Sequence, residues 1–219
     1  MNQSYIWSMP TRIFHWSFAL LITICFIIDD DVILIHSISG YLILVPLTFR
    51  FIWGFIGPKY SKFKDFSLDI KETKEFASNI SEKKQKYIGH NPMASFVMIS
   101  ILLLVPFIIL TGGISLGVEE SKGIFSNFIK LDFFEDIHEL LANLLYVLLF
   151  AHISGILVDR LLHKEHGTLN SIFTGYKNTK NKDDITLNIF QKFVAFLFLI
   201  IFLIFASYLV FDTSNVFVY

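Results

Sequence analysis

The sequence predicts an all-α integral membrane protein, a four-helix transmembrane bundle with a fifth helix at the C-terminal end. Three observations carry that reading. The 219 residues are 54% apolar and include twenty-five phenylalanines, with a mean hydropathy of +0.60, which is more apolar than a water-soluble domain of this size. Five stretches, 10–28, 32–56, 93–118, 137–159 and 193–211, approach the roughly 20 apolar residues that cross a bilayer. Charge is concentrated between these stretches rather than within them.

The first stretch follows Pro10 and Arg12 and ends in Asp29-Asp30-Asp31, without a small-residue cleavage site, so it reads as a span and not a signal peptide. The second ends at "FIGPKY" (55–60), where Gly57 and Pro58 are stop signals. Loop 59–90 follows. Its Phe66, Ile70, Phe76, Ala77 and Ile80 come near helical spacing among charged residues. That pattern fits an amphipathic helix on the membrane surface or a solvated helix packed on its own loops. Asn91-Pro92 within "GHNP" (89–92) starts the third span, and 137–159 forms the fourth. "YKNTKNKDDI" (176–185) reads as a polar linker before the fifth. Without repeats or low-complexity tails the chain is expected to be one domain. Residues 5–177 hold four spans, and 178–219 hold the linker and the additional helix.

Lys and Arg total eighteen. Arg12, loop 58–92 and the segment from Arg160 to Lys192 hold nearly all of them, whereas 119–136 holds only Lys122 and Lys130. By the positive-inside rule the N-terminus and both basic loops are expected on the cytoplasmic side of the membrane. Five spans then put the C-terminal end, Val216–Tyr219, outside. A net charge of −1 gives no footing for nucleic acid, and membrane lipid is the expected surround. The single Cys25, mid-span, excludes a disulfide framework, a thiolate cluster and covalent Cys-x-x-Cys-His haem attachment, and reads as small apolar filler.

Histidines carry the chemistry. Four of seven fall in spans, where an ionisable side chain is a functional hypothesis by default. A helix–helix hydrogen bond explains one of them but not four. His138 and His152 lie on one span, fourteen residues and about 21 Å of helical rise apart, on nearly the same face. One metal ion cannot bridge that distance. With alternating span directions, His15 matches His152 near the inner surface and His36 matches His138 near the outer one. Two opposed imidazoles from different helices make a six-coordinate haem site, so the pattern predicts two non-covalent haems with these four residues as axial iron ligands. Arg50, fourteen residues after His36, and Arg12, one turn before His15, fall at the inner level. They suit propionate clamping, or for Arg50 snorkelling to the lipid interface and for Arg12 a plain positive-inside anchor. His90 suits a propionate or a quinone headgroup, or sits in a simple helix start. His163 and His166 read as solvated loop residues. Gly40, Gly112, Gly113 and Gly155 fit a porphyrin edge or ordinary close helix packing.

"MPTRIFHW" (9–16), "HSISGYLILVPLTFRFIWGFIGPKYSKF" (36–63), "GHNP" (89–92), "HELLANLLYVLLFAHISGILVDRLLHKE" (138–165) and "FTGYK" (173–177) resemble the bacterial cytochrome b561 and Ni,Fe-hydrogenase b-type cytochrome subunit family. The resemblance covers about residues 5–177. It implies a four-helix bundle with two b haems, and places their ligands at His15, His36, His138 and His152. It also implies electron transfer between the quinone pool and a redox partner protein, hydrogenase-like or a cytochrome, in a homo- or hetero-oligomer. The span 193–211 lies beyond the matched region and reads as a lipid-facing anchor or a docking element. With both axial positions filled, no residue is assigned a catalytic role, and electron transfer is expected rather than oxygen binding. Alternatives are a stand-alone quinol- or superoxide-oxidising cytochrome, a transporter with intramembrane histidines, and a cofactor-free anchor. A transporter is expected to cluster its ligands near mid-membrane, on broken helices.

Overall fold

The computed structural model describes residues 2–28, 33–81, 87–119, 121, 123, 125 and 133–211. In chain order these form β1 (Asn2–Tyr5), α1 (Met9–Ile27), α2 (Ile33–Ile56), α3 (Ile70–Ser78), α4 (Pro92–Glu119), α5 (Phe133–Leu162), α6 (Thr168–Thr174), β2 (Tyr176–Thr179) and α7 (Ile189–Phe211). Helices α1, α2, α4, α5 and α7 are long and apolar enough to cross a membrane. They coincide with the five expected spans to within four residues at each end, and the chain is an all-α membrane protein. The Asp29–Asp31 turn, Lys122, Lys130 and Val216–Tyr219 lie outside the described residues.

The helix ends follow their local chemistry. Gly57 N–H closes the last turn of α2 on the Trp53 carbonyl at 2.8 Å, and Pro58 cannot continue it. Asn91 starts α4, its side-chain oxygen accepting from Ala94 N–H at 2.8 Å, with Pro92 at the first helical position. Helix α5 begins four residues earlier than expected. Its first turn carries Glu135 and Asp136 and its last turn Arg160, each opposing the helix dipole. Helix α7 also begins earlier, on a reciprocal cap: Gln191 N–H donates to the Asn188 side chain at 2.8 Å and Asn188 N–H to the Gln191 side chain at 3.0 Å.

Two compact units emerge. One comprises residues 1–15, 49–101 and 148–195, the other 16–48, 102–147 and 196–219. The first contains an element that the sequence reading missed. Strand β1 pairs antiparallel with β2, Asn2 opposite Thr179 and Tyr5 opposite Tyr176. The segment expected to be a polar linker is therefore a strand at its start. Ile6 and Trp7 N–H both donate to the Gly175 carbonyl, at 2.9 and 3.1 Å, and Ile6, Trp7, Tyr60 and Ile185 form a buried cluster. Gly175 has φ of +88°, and a Cβ there would lie 2.8 Å from the Trp7 carbonyl oxygen, so only glycine serves.

The loop after α2 also departs from expectation. Asp69 caps α3 through Lys71 and Glu72 N–H, so the helix starts at Ile70 and Phe66 lies before it. Phe66 is buried, its ring against Phe63 and His90, and is not part of an amphipathic face.

Gln191 joins α7 to the first unit. Buried, it donates from Nε2 to the Ile56 carbonyl at 2.7 Å while capping its own helix. Gln191→Leu removes both bonds and is expected to cost about 1–2 kcal/mol, read as a lower unfolding temperature of the detergent-solubilised protein. Unchanged stability would show that α7 is held by apolar contact alone.

Candidate functional site

The four intramembrane histidines meet in two pairs, each within one unit. In the first unit the His15 ring on α1 faces His152 on α5, with centroids 6.5 Å apart and planes at 48°. In the second, His36 on α2 faces His138 on α5, with centroids 6.1 Å apart at 78°. All four residues are half-buried. An imidazole nitrogen binds a first-row metal at about 2.0–2.1 Å and its ring centre lies about 1.1 Å further back, so rings on opposite sides of one ion sit roughly 6.3 Å apart. Both pairs have that spacing. Among the described residues no three His, Cys, Asp or Glu side chains converge on a metal position. Each pair has the spacing at which two imidazoles would hold one iron between them.

The second pair shows how its rings are aimed. His36 Nδ1 lies 3.1 Å from the Cys25 carbonyl. That carbonyl is in the last turn of α1, where intrahelical partners run out. His138 Nδ1 lies 3.0 Å from the Ile108 carbonyl and 3.4 Å from Thr111 Oγ1. Donation from Nδ1–H to a carbonyl fixes the tautomer whose lone pair is on Nε2. Gly112 makes the His138 contact possible, since a Cβ there would lie 2.6 Å from His138 Cε1 and 2.8 Å from Nδ1. Sequence reading had singled out Gly112 only as a small residue. One turn from His36 is Gly40, and one turn from His152 is Gly155. Around each, the space a Cβ would enter is open to 4 Å, as the flat face of a porphyrin requires.

Arg50 is 3% exposed. It donates from Nη1 to the Ser61 carbonyl at 3.1 Å and lies over the rings of Phe63 and Phe66, at 4.7 and 5.4 Å. Among the described residues it has no salt bridge to a carboxylate, and a buried cation of that kind accommodates an anionic propionate. It is not snorkelling. Arg12 donates to the Phe173 carbonyl, while its buried Nε has no partner among the described residues.

His90 lies between Trp7 and Phe66, with ring centroids 4.9 and 4.6 Å away. Burial, followed by the Arg50 and Lys177 cations, pushes its imidazole down to about 3, so it is neutral at physiological pH. Lys177 was not foreseen. On β2 and 3% exposed, it donates to the Ile88 carbonyl at 3.1 Å and faces that of Tyr87 at 3.5 Å, bracing the chain just before His90. Burial pushes it down to about 8, against the opposing influence of Asp159. His163 is not a solvated loop residue. It is buried, with Nδ1 3.2 Å from Asp159 Oδ1 one turn back. The side chain of His166 lies outside the described residues.

Paired, aimed imidazoles on apolar helices, with glycines beside them, define the class: a helical membrane protein built to hold iron porphyrin. The chain belongs to the prokaryotic cytochrome b561 family, whose description matches residues 6–175. It is therefore a multi-pass bacterial membrane protein of the b561 class of cytochromes. It is similar to the probable Ni/Fe-hydrogenase B-type cytochrome subunit of Rhodobacter capsulatus, 27% identical over 139 residues, which are 49% of this chain and 53% of that one. Similar too are the probable Ni/Fe-hydrogenase 1 B-type cytochrome subunit of Escherichia coli K12, 24% identical over 49% of this chain and 58% of its own, and the corresponding subunit of Cupriavidus necator, 24% identical over 51% and 58%. The chain thus spans about half the length of the curated relatives it matches. No solved structure matches it.

The shift at His90 has a consequence for stability. Above its ordinary value of 6.5 folded and unfolded chains both carry the neutral ring. As pH falls below that value, the unfolded chain takes up a proton that the folded one refuses until about pH 3. At about pH 5 this costs about 2 kcal/mol. The drop in unfolding temperature from about pH 7.5 to 5 is therefore expected to be smaller in His90→Phe than in the unaltered protein.

Proposed function

We propose that the chain carries two b haems, one between His15 and His152 and one between His36 and His138, and passes electrons between the quinone pool and a redox partner protein. The observation that carries this reading is the pair of imidazole separations, 6.5 and 6.1 Å, each spaced for one iron. Bound there, haem b supplies one-electron storage. The chain supplies the rest. His36 and His138, their rings oriented by Nδ1 donation to backbone carbonyls, would hold the second haem, and Gly40, Gly112 and Gly155 keep side-chain bulk out of the way. Arg50, with Arg12, neutralises propionate charge at the first pair. The apolar helices exclude water and favour outer-sphere transfer.

The printed names of its relatives support a hydrogenase-like partner, and the distribution of Lys and Arg supports a cytoplasmic N-terminus. Helix α7 then exposes Phe190, Phe193, Phe196 and Leu203 to lipid.

A pyridine haemochrome assay tests the reading. Two haems per chain are expected in the purified protein, and one in each single His→Ala variant. Gly112→Val is expected to lose the same haem as His138→Ala, because the added side chain drives the ring from its carbonyl. A single haem in the unaltered protein would overturn the two-haem assignment.

A further inference from the structure

The two rings of the second pair are not held alike. His36 Nδ1 faces one carbonyl, that of Cys25 at 3.1 Å. His138 Nδ1 faces two oxygens of α4, the Ile108 carbonyl at 3.0 Å and the Thr111 hydroxyl at 3.4 Å. A carbonyl only accepts, so the closeness of Ile108 puts the proton on His138 Nδ1. That nitrogen is therefore the donor to both.

Thr111 is buried in an apolar span. Its own proton has two destinations, the Phe107 carbonyl at 2.8 Å and the Ile108 carbonyl at 3.1 Å. The shorter bond runs one turn back, the ordinary choice of a threonine inside a helix. It uses the hydroxyl proton and leaves the lone pairs of the oxygen. His138 Nδ1 reaches the side that bears them. Back-bonding alone would serve any threonine in a span, whereas contact with an imidazole of another helix sets this one apart. Gly112 makes the approach possible, since a Cβ there would lie 2.8 Å from the same Nδ1.

The bonds form a short chain from His138 Nδ1–H to Thr111 Oγ1 and on to the Phe107 carbonyl. Each bond in such a chain polarises the next, so a hydroxyl held by Phe107 accepts better than one left loose. An imidazole that donates to a second acceptor gains anionic character and becomes more basic at its other nitrogen. A more basic axial ligand favours ferric iron over ferrous.

We propose that Thr111 is a positioning residue that tunes the potential of the haem at His36 and His138. Acting through His138 Nδ1, its hydroxyl holds that haem more oxidised than the Ile108 carbonyl alone would. The inference rests on the two-haem reading above and adds a residue outside the ligand set.

A redox titration of the purified protein, followed at the haem absorption band, tests it. The component missing from His138→Ala identifies the second haem. Thr111→Val keeps the branched shape and deletes the acceptor. The bond is long and between neutral groups, at the weak end of its range, so the effect is modest. At a given potential the ratio of reduced to oxidised second haem is expected to rise about threefold. That is an upward midpoint shift of about 30 mV for one electron. Two haems per chain and the midpoint of the first haem stay as in the unaltered protein, and Thr111→Ser returns the second midpoint to its unaltered value. An unchanged or lowered midpoint in Thr111→Val, or an equal rise in Thr111→Ser, overturns the tuning and leaves the two-haem reading standing. Should Thr111→Val lose the second haem, Thr111→Ala carries the same expectation. Loss of that haem in both makes the hydroxyl a requirement of packing and overturns the tuning as well. A single haem in the unaltered protein overturns both readings.

Discussion

An imidazole inside an apolar helix must have both nitrogens engaged, and the rest of the architecture is arranged around that need. Leaving a polar nitrogen unpaired in a low-dielectric surround costs about 1–3 kcal/mol, so four intramembrane histidines persist only with partners. At His36 and His138 the Nδ1 partners are carbonyls that helices leave available. The Cys25 carbonyl lies in the closing turn of α1. That of Ile108 is reached at the position of Gly112, where the absent Cβ opens the flank of α4. With Nδ1 donating, the lone pair of each ring is on Nε2. The donor that orients the ligand and the gap that admits the cofactor arise from the same local departures from regular helix.

The first unit adds a different constraint. The unit that holds the His15/His152 pair also buries polar and charged side chains: Arg50, Lys177, Asp159, His163 and His90. Apolar packing alone would not tolerate them. The two-stranded sheet makes their burial possible by carrying Lys177 inward on β2 while Ser4 on β1 bonds Thr179 on β2 at 2.6 Å. Trp7 then bridges the strand to α6 through Ser171, at 3.1 Å, and packs at a tilt against His90. A short polar pairing between the two ends of the matched region thus holds the chain around His90 in place.

What the sequence revealed and what it concealed follow from the range of the interactions involved. Spans are local and long, so hydropathy found all five. The histidine pairing was legible because helix rise and alternating span direction convert sequence position into depth, and each depth then holds two imidazoles. Gly57, Pro58, Asn91 and Pro92 act on their own helix ends and were read correctly. The β1–β2 pairing joins four-residue strands more than 170 positions apart, with no alternation long enough to register. Lys177 was misplaced for the same reason, since a lysine in a polar run becomes buried only once a distant strand covers it. Phe66 was assigned to a helical face because spacing cannot anticipate that Asp69 caps α3 one turn later.

The distribution of charge gives the two histidine pairs unequal surroundings. Every Lys and Arg except Lys122 and Lys130 belongs to the unit that holds His15 and His152, and two of them, Arg50 and Lys177, are each 3% exposed. The unit that holds His36 and His138 carries Glu135, Asp136 and Glu139 on α5 close to His138. Reducing a ferric haem adds one negative charge, which a positive surround stabilises and a negative one opposes, most strongly where water is excluded. Were haem held at both pairs, as proposed, the buried Arg50 and Lys177 cations would favour reduction at His15/His152 over reduction at His36/His138, and the contrast would come from the charges that each unit carries on its own.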